Sequence, residues 1–218
     1  MAVKTVAVLL SGCGHRDGSE IQEAVLTLWA LHRNGLEFEC FAPDIPQYHV
    51  LNHLTGEEMA QQRNVLVESA RIARGKIRDI AEFDAASYAG IILPGGLGAV
   101  KNLSDYGVQG VDFQVNAGVR RAILSMAEQG KPIGALCISP MIIAKLLGEV
   151  KLTLGTFGSA ATDAENMGAT HVVTGNGEVV IDRRHKIVTT PCYMLDAGVD
   201  QIGDGADGLV KAMAELME

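Results

Sequence analysis

Residues 132–140 read Pro-Ile-Gly-Ala-Leu-Cys-Ile-Ser-Pro, and this stretch decides the fold. Pro132 to Leu136 is small or apolar throughout, the signature of a strand buried on both faces of a sheet. A helix is expected over Ile138–Leu147, so only a sharp turn at Cys137 separates strand from helix. That strand–turn–helix context is a nucleophile elbow. The crowded backbone of such a turn needs small residues two positions either side, and Ala135 and Ser139 meet the need. The turn projects the Cys137 side chain beside a helix N-terminus, whose amide dipoles are expected to lower the thiol pKa. A buried cysteine more often serves as a small apolar residue. The elbow context favours a reactive thiol instead.

Working outward, Val6–Leu10 is an apolar run that ends in Ser-Gly-Cys-Gly, a buried strand entering a glycine turn. A helix follows, with Ser19 as expected N-cap, an apolar face of Ile21, Val25, Leu28, Trp29 and Leu31, and Asn34-Gly35 as its end. Strands are predicted over Leu36–Ala42 and Gly90–Leu93, a loop over Pro43–Leu54, a long helix over Thr55–Ala73 and another over Val115–Glu128. Leu152–Leu154, His171–Val173, Val179–Ile181 and Ile187–Thr189 read as short strands, with a hairpin turn at Asp182–Lys186. Gly205–Met217 closes the chain as a helix. Alternating strands and helices with continuous apolar strands imply an α/β fold, a mostly parallel sheet with helices on both faces. Residues 1–218 are expected to form a single domain.

Composition narrows the function classes. The chain has 218 residues, 48% hydrophobic and 20% charged, which excludes a disordered chain. A net charge of −8 argues against a nucleic-acid partner. No 18-residue apolar stretch suggests a membrane span, and no secretory signal is evident from Met1 onward. Cys13, Cys40, Cys137 and Cys192 stand far apart with no C-x-x-C pair, so neither a zinc site nor a disulfide framework is expected. The expectation is a cytoplasmic protein with no metal and no cofactor.

Sites in such sheets lie beyond the carboxyl ends of the strands. Pro94-Gly95-Gly96 follows one strand end, and its backbone N–H groups, with that of Ile138, could hold an oxyanion formed on attack by Cys137. Glu20 and Glu23 share one face of the first helix, and either could share a proton with Cys137. For Glu20 a helix-dipole role is the simpler reading. Glu23 lies in a mainly apolar stretch, which favours a partly buried, functional carboxylate. A nucleophilic cysteine usually has a histidine base, and no histidine follows Cys137 directly. His15, in the loop after the first strand, is the best-placed substitute, and Cys13 lies beside the same cleft.

These segments together resemble the PfpI superfamily, whose fold is like that of class I glutamine amidotransferases. Leu93-Pro-Gly-Gly96, Lys101-Asn-Leu103, the Cys137 elbow and the acidic first helix carry the likeness. Within it the chain is most similar to the enhancing-lycopene-biosynthesis branch, the isoprenoid-biosynthesis glyoxalases. That likeness rests on Leu10-Ser-Gly-Cys-Gly14, Asp17-Gly-Ser-Glu-Ile21, Asn52-His-Leu-Thr-Gly-Glu57, Arg63-Asn-Val-Leu66, Ala99–Ser104 and Lys186-Ile-Val-Thr-Thr-Pro191. The resemblance implies a flavodoxin-like three-layer sandwich and a protonated glutamate hydrogen-bonded to the Cys137 sulfur. Counting back from Gly35, it implies Glu23 rather than Glu20 for that role, and a Gly95, Gly96 and Ile138 oxyanion pocket. Relatives of this kind often form homodimers.

Two departures follow. The protease branch has a histidine directly after the nucleophile, where this chain has Ile138. The deglycase branch has one after the next strand, where this chain reads Leu154-Gly155-Thr156. No His-x-Glu occurs anywhere, which removes a glutaminase reading. The expected activity is a cofactor-independent glyoxalase that converts glyoxal, or methylglyoxal, to the 2-hydroxy acid through a Cys137 hemithioacetal. The alternative is a redox-responsive or regulatory protein with an oxidisable Cys137 and no turnover.

Overall fold

The structure, a computed structural model, describes residues 3–217; Met1, Ala2 and Glu218 lie outside the described residues. The chain runs β1 (Thr5–Leu9), α1 (Ile21–Arg33), β2 (Glu37–Ala42), α2 (Val65–Ile72), β3 (Ile77–Asp79), β4 (Gly90–Leu93), α3 (Leu97–Lys101), α4 (Tyr106–Gln109) and α5 (Ala117–Glu128). It continues through β5 (Ile133–Leu136), α6 (Pro140–Leu147), β6 (Lys151–Leu152), α7 (Ser159–Asn166), β7 (Thr170–His171), β8 (Val180–Asp182), β9 (Ile187–Thr190) and α8 (Val199–Leu216).

Seven strands form one sheet in the order β3-β2-β1-β4-β5-β9-β8. All neighbours are parallel except the β8–β9 hairpin at the edge. β6 and β7 make a separate two-stranded parallel ribbon. Every side chain from Val6 to Leu9 and from Ile91 to Leu93 is fully buried, as the unbroken apolar runs require. Helices α1 and α8 pack together on one face, and α5 and α6 on the other, which is the flavodoxin-like arrangement. The strand order reverses at β1, so the carboxyl ends of β1, β4, β5 and β9 open into a common crevice. Among the described residues no helix is long and apolar enough to cross a membrane.

Four local expectations are corrected. The helix expected over Thr55–Ala73 is only Val65–Ile72, because Asn64 caps it by accepting the Val67 N–H at 3.0 Å. The preceding residues are held as a loop by isolated bridges, Pro46 to Asn64 and Leu51 to Glu58. Ser19 does not cap α1. Its Oγ accepts the Ser11 N–H at 2.8 Å, and Glu20 takes the cap by accepting the Glu23 N–H at 2.7 Å.

The face of α1 turned inward is Glu23, Ala24, Thr27, Ala30 and Leu31, while Ile21, Val25 and Trp29 are 45%, 48% and 46% exposed. Small residues face inward because α8 packs closely there. Finally, α8 starts at Val199, six residues before the expected Gly205. Gly205 lies inside the helix, and it is glycine because a Cβ there would stand 2.6 Å from the Thr190 hydroxyl on β9.

Candidate active site

Strand β5 delivers Cys137 to the crevice, and the turn there is strained. Cys137 has φ +58°, in the left-handed region that side chains other than glycine rarely adopt. Its N–H donates to the Thr190 carbonyl at 3.0 Å, and the Ser139 hydroxyl donates to the Pro94 carbonyl at 2.7 Å. These bonds tie the elbow to β9 and to the glycine turn after β4. The thiol is 8% exposed and lines a cleft at the strand ends.

Glu23, in the first turns of α1, is fully buried behind that sulfur. One carboxyl oxygen accepts the Gly95 N–H at 2.8 Å and the other accepts the Tyr193 N–H at 3.3 Å, which sets the carboxyl beside the Cys137 sulfur across Gly95. Gly95 must lack a side chain. A Cβ there would lie 2.4 Å from the Cys137 Cβ and 2.6 Å from the Glu23 carboxyl. Gly96, at φ +95°, is likewise pressed against the Glu20 amide, 2.3 Å from where its Cβ would be.

Burial raises the Glu23 pKa to about 8, with the Glu20 charge adding to the effect and the two N–H bonds opposing it. Burial also pushes the Cys137 thiol well above its ordinary value, and the Glu23 charge adds to this. The Gly96 and Ile138 N–H groups pull the other way without prevailing. The expectation of a lowered Cys137 pKa is therefore corrected: desolvation outweighs the amide dipoles. The Gly95 part of the expected oxyanion pocket is also corrected. Its N–H is committed to Glu23, which leaves Gly96 and Ile138 as the donors at the sulfur.

The remaining candidates divide. Glu20 and His15 both line the cleft, with Tyr193 and Met194. The His15 ring stands edge-on to His53 at 5.1 Å, and His53 lies 3.6 Å from the buried Asp17. Burial lowers the His15 pKa, with the His53 and Arg16 charges adding to this. Cys13 is not among the cleft residues. Its thiol lies in the fields of Glu68 and Arg71, and burial raises its pKa. Burial also pushes Cys40, on β2, up to about 12.

Sequence reasoning missed the segment after β9. Cys192 sits there at φ +44°, buried, in the fields of Glu23 and Cys137, and Tyr193 supplies an N–H to Glu23. The signal was Thr-Thr-Pro-Cys-Tyr at a strand end, where sites of this sheet class lie. His171 is buried against Phe157 with neither ring nitrogen bonded among the described residues. A surface groove of 900 Å³ runs over Thr5, Glu37 and Ile77 at the amino ends of the strands and holds no part of this arrangement. Among the described residues no group of three or more His, Cys, Asp or Glu side chains is placed to hold a metal ion.

The seven-stranded sheet and its flanking helices share their fold with solved ThiJ/PfpI-domain and DJ-1 superfamily proteins that are under 20% identical to this chain. No family model matches the chain. The human glutamine amidotransferase-like class 1 domain-containing protein 3, mitochondrial, is 43% identical over 97% of this chain and 82% of its own length. The zebrafish ES1 protein, mitochondrial, is 32% identical over 97% and 85%. The chain belongs to this ES1, glutamine amidotransferase-like family.

Among solved structures, an isoprenoid biosynthesis protein with an amidotransferase-like domain from Ehrlichia chaffeensis superimposes with TM-score 0.90 at 34% identity, over 97% of this chain and 99% of that one. A glyoxalase III from Candida albicans shares the fold with TM-score 0.64 at 15% identity, over 99% and 98%. The expectation of a cytoplasmic protein is corrected by these relatives, since the human and zebrafish proteins are both named as mitochondrial.

Proposed function

We propose that this protein is a cofactor-independent glyoxalase, converting a 2-oxoaldehyde and water to the 2-hydroxy acid. A glyoxalase III from Candida albicans shares this fold. The observation that carries the reading is the fully buried Glu23 carboxyl set beside the Cys137 sulfur across Gly95, with the Gly96 and Ile138 N–H groups favouring the thiolate.

Glu23, once ionised, takes the thiol proton as Sγ attacks the aldehyde carbon and the C–S bond forms. It returns that proton to the aldehyde oxygen, giving the hemithioacetal, and is a carboxylate again. It next removes the proton on the former aldehyde carbon. Gly96 and Ile138 N–H groups hold the resulting enediolate. Glu23 then delivers the proton to the adjacent carbon, while the hydroxyl proton passes from the first oxygen to the second. The first carbon is thereby oxidised to a thioester and the second reduced to an alcohol. Water cleaves the thioester and restores the thiol.

The test is turnover of glyoxal by purified protein, with glycolate as measured product. Loss in both Cys137→Ala and Glu23→Gln supports the reading, and full activity in either removes that residue. A redox-responsive Cys137 is the weaker reading, because a thiol raised by burial is a poor target for peroxide at neutral pH.

We further propose that the protein is a homodimer joined through α1. Ile21, Val25 and Trp29 stand four residues apart and form one exposed apolar stripe. Arg33 and the acidic Asp200 and Asp204 flank it on α1 and α8, so a two-fold pairing brings opposite charges together.

A further inference from the structure

We infer that the cleft over Cys137 is built for an uncharged 2-oxoaldehyde carrying an apolar chain, and not for glyoxal itself. The inference rests on the glyoxalase reading for its reaction and on the shape and chemistry of the cleft for its substrate.

The cleft has a volume of about 460 Å³, within the range of roughly 300–1,000 Å³ that holds medium-sized organic ligands. Glyoxal has only four heavy atoms and would fill a small part of it. The apolar part of the wall is Leu97, Val100, Ile138, Ala160 and Met194 together with Tyr106, and Ser159 adds a hydroxyl side chain. The Tyr106 hydroxyl donates to Asp163 at 2.6 Å, so its share of the wall is the ring. His15, Glu20 and Tyr193 also line an adjoining space of about 320 Å³, which puts these three residues toward one side of the cleft.

Among the described residues no lysine or arginine lines either space. Glu20 is the acidic group on the wall, and burial lowers the pKa of the neighbouring His15, so the imidazole is neutral at pH 7 and supplies no cation. A phosphate or carboxylate on the substrate would therefore meet a negative charge and no counter-ion. An alkyl chain would meet side chains that can cover it. Apolar coverage contributes about fourfold in affinity per methylene fully removed from water.

The test compares three aldehydes on the full-length protein: glyoxal, 2-oxooctanal, and 7,8-dioxooctanoate, which places a carboxylate at the far end of a similar chain. The expected kcat/KM for 2-oxooctanal exceeds that for glyoxal by at least about 100-fold, mainly through KM. The carboxylated analogue should lose at least about tenfold of that gain. Leu97→Asp should shrink the 2-oxooctanal advantage to under about tenfold; Leu97 is 40% exposed at the first position of α3, where an acidic residue is tolerated.

Equal or better kcat/KM for glyoxal, with glyoxal turned over, overturns the substrate class and leaves the glyoxalase reading standing. An undiminished ratio in Leu97→Asp also overturns it, because the chain then lies elsewhere. If no aldehyde is turned over, the glyoxalase reading fails by itself. The cleft is then judged by whether 2-octanone slows iodoacetamide alkylation of Cys137. Protection supports an apolar ligand there, and its absence overturns one.

Discussion

Replacing Glu23 with Gln should change how stability depends on pH, and the size of the change follows from the structure. A free glutamate in an unfolded chain ionises near 4.5, whereas in the fold burial raises Glu23 to about 8. Between these values the folded state keeps a proton that the unfolded state has released. Stability contributed by the neutral carboxyl is thus fully present below pH 4.5 and is lost as pH rises through 8. Each pH unit of difference is worth about 1.36 kcal/mol, so the loss across this span is on the order of 5 kcal/mol. No discount for solvent applies, since the side chain is fully buried.

Gln has a similar shape and cannot ionise, so Glu23→Gln should show a much flatter profile and be the more stable protein at pH 8. The assay is urea unfolding at half-unit steps from pH 5 to pH 8, below the ordinary range of cysteine ionisation. A wild-type profile no steeper than that of Glu23→Gln would mean that the carboxyl ionises near its unfolded value, and the proton-sharing scheme would collapse.

Other outcomes follow from the same geometry. Cys137→Ala should remove aldehyde turnover while leaving the fold intact, whereas Cys13→Ala should keep activity; mass balance of glycolate and circular dichroism read both. Alkylation of Cys137 by iodoacetamide, resolved by peptide mass, should inflect above the reference value of about 8.5 for a free thiol. An inflection below it would show the amide dipoles prevailing over burial. Gly95→Ala should cost about 1–3 kcal/mol by overpacking and depress turnover, because its Cβ would press on both Cys137 and Glu23. Trp29→Glu should give a monomer by light scattering, with monomer stability changed by only about 0.5 kcal/mol, the size of an exposed substitution. A dimer that persists in that variant would move the interface off α1.

Legibility in the sequence followed chain-local physics. The strand Gly90–Leu93 and the elbow after Leu136 were readable because a continuous apolar run bounded by glycine or proline has few other solutions. The inward face of α1 was misread because apolar residues normally turn inward, and here Ile21, Val25 and Trp29 turn outward to leave room for α8. The end of the helix expected over Thr55–Ala73 was right and its start wrong, since Asn64 and the bridges from Pro46 and Leu51 act across the loop. Tyr193 and Cys192 could not be joined to Glu23 from the sequence, because the contact spans 170 residues and depends on β9 lying beside β5.

The thiol pKa shows why a local motif misleads about chemistry. An elbow places a sulfur beside amide N–H groups, and taken alone this lowers its pKa. Here the same turn also seats the sulfur against a fully buried carboxyl, and the fold closes over both. With both pKa values raised, the pair holds two protons at pH 7 rather than one. Reaction then requires the carboxyl to ionise first, since it has the lower pKa and can take the thiol proton during attack. Turnover is accordingly expected to rise with pH through about 8, following Glu23. A rate that is flat from pH 6 to pH 9 would place the base elsewhere, with His15 across the cleft as the next residue to replace.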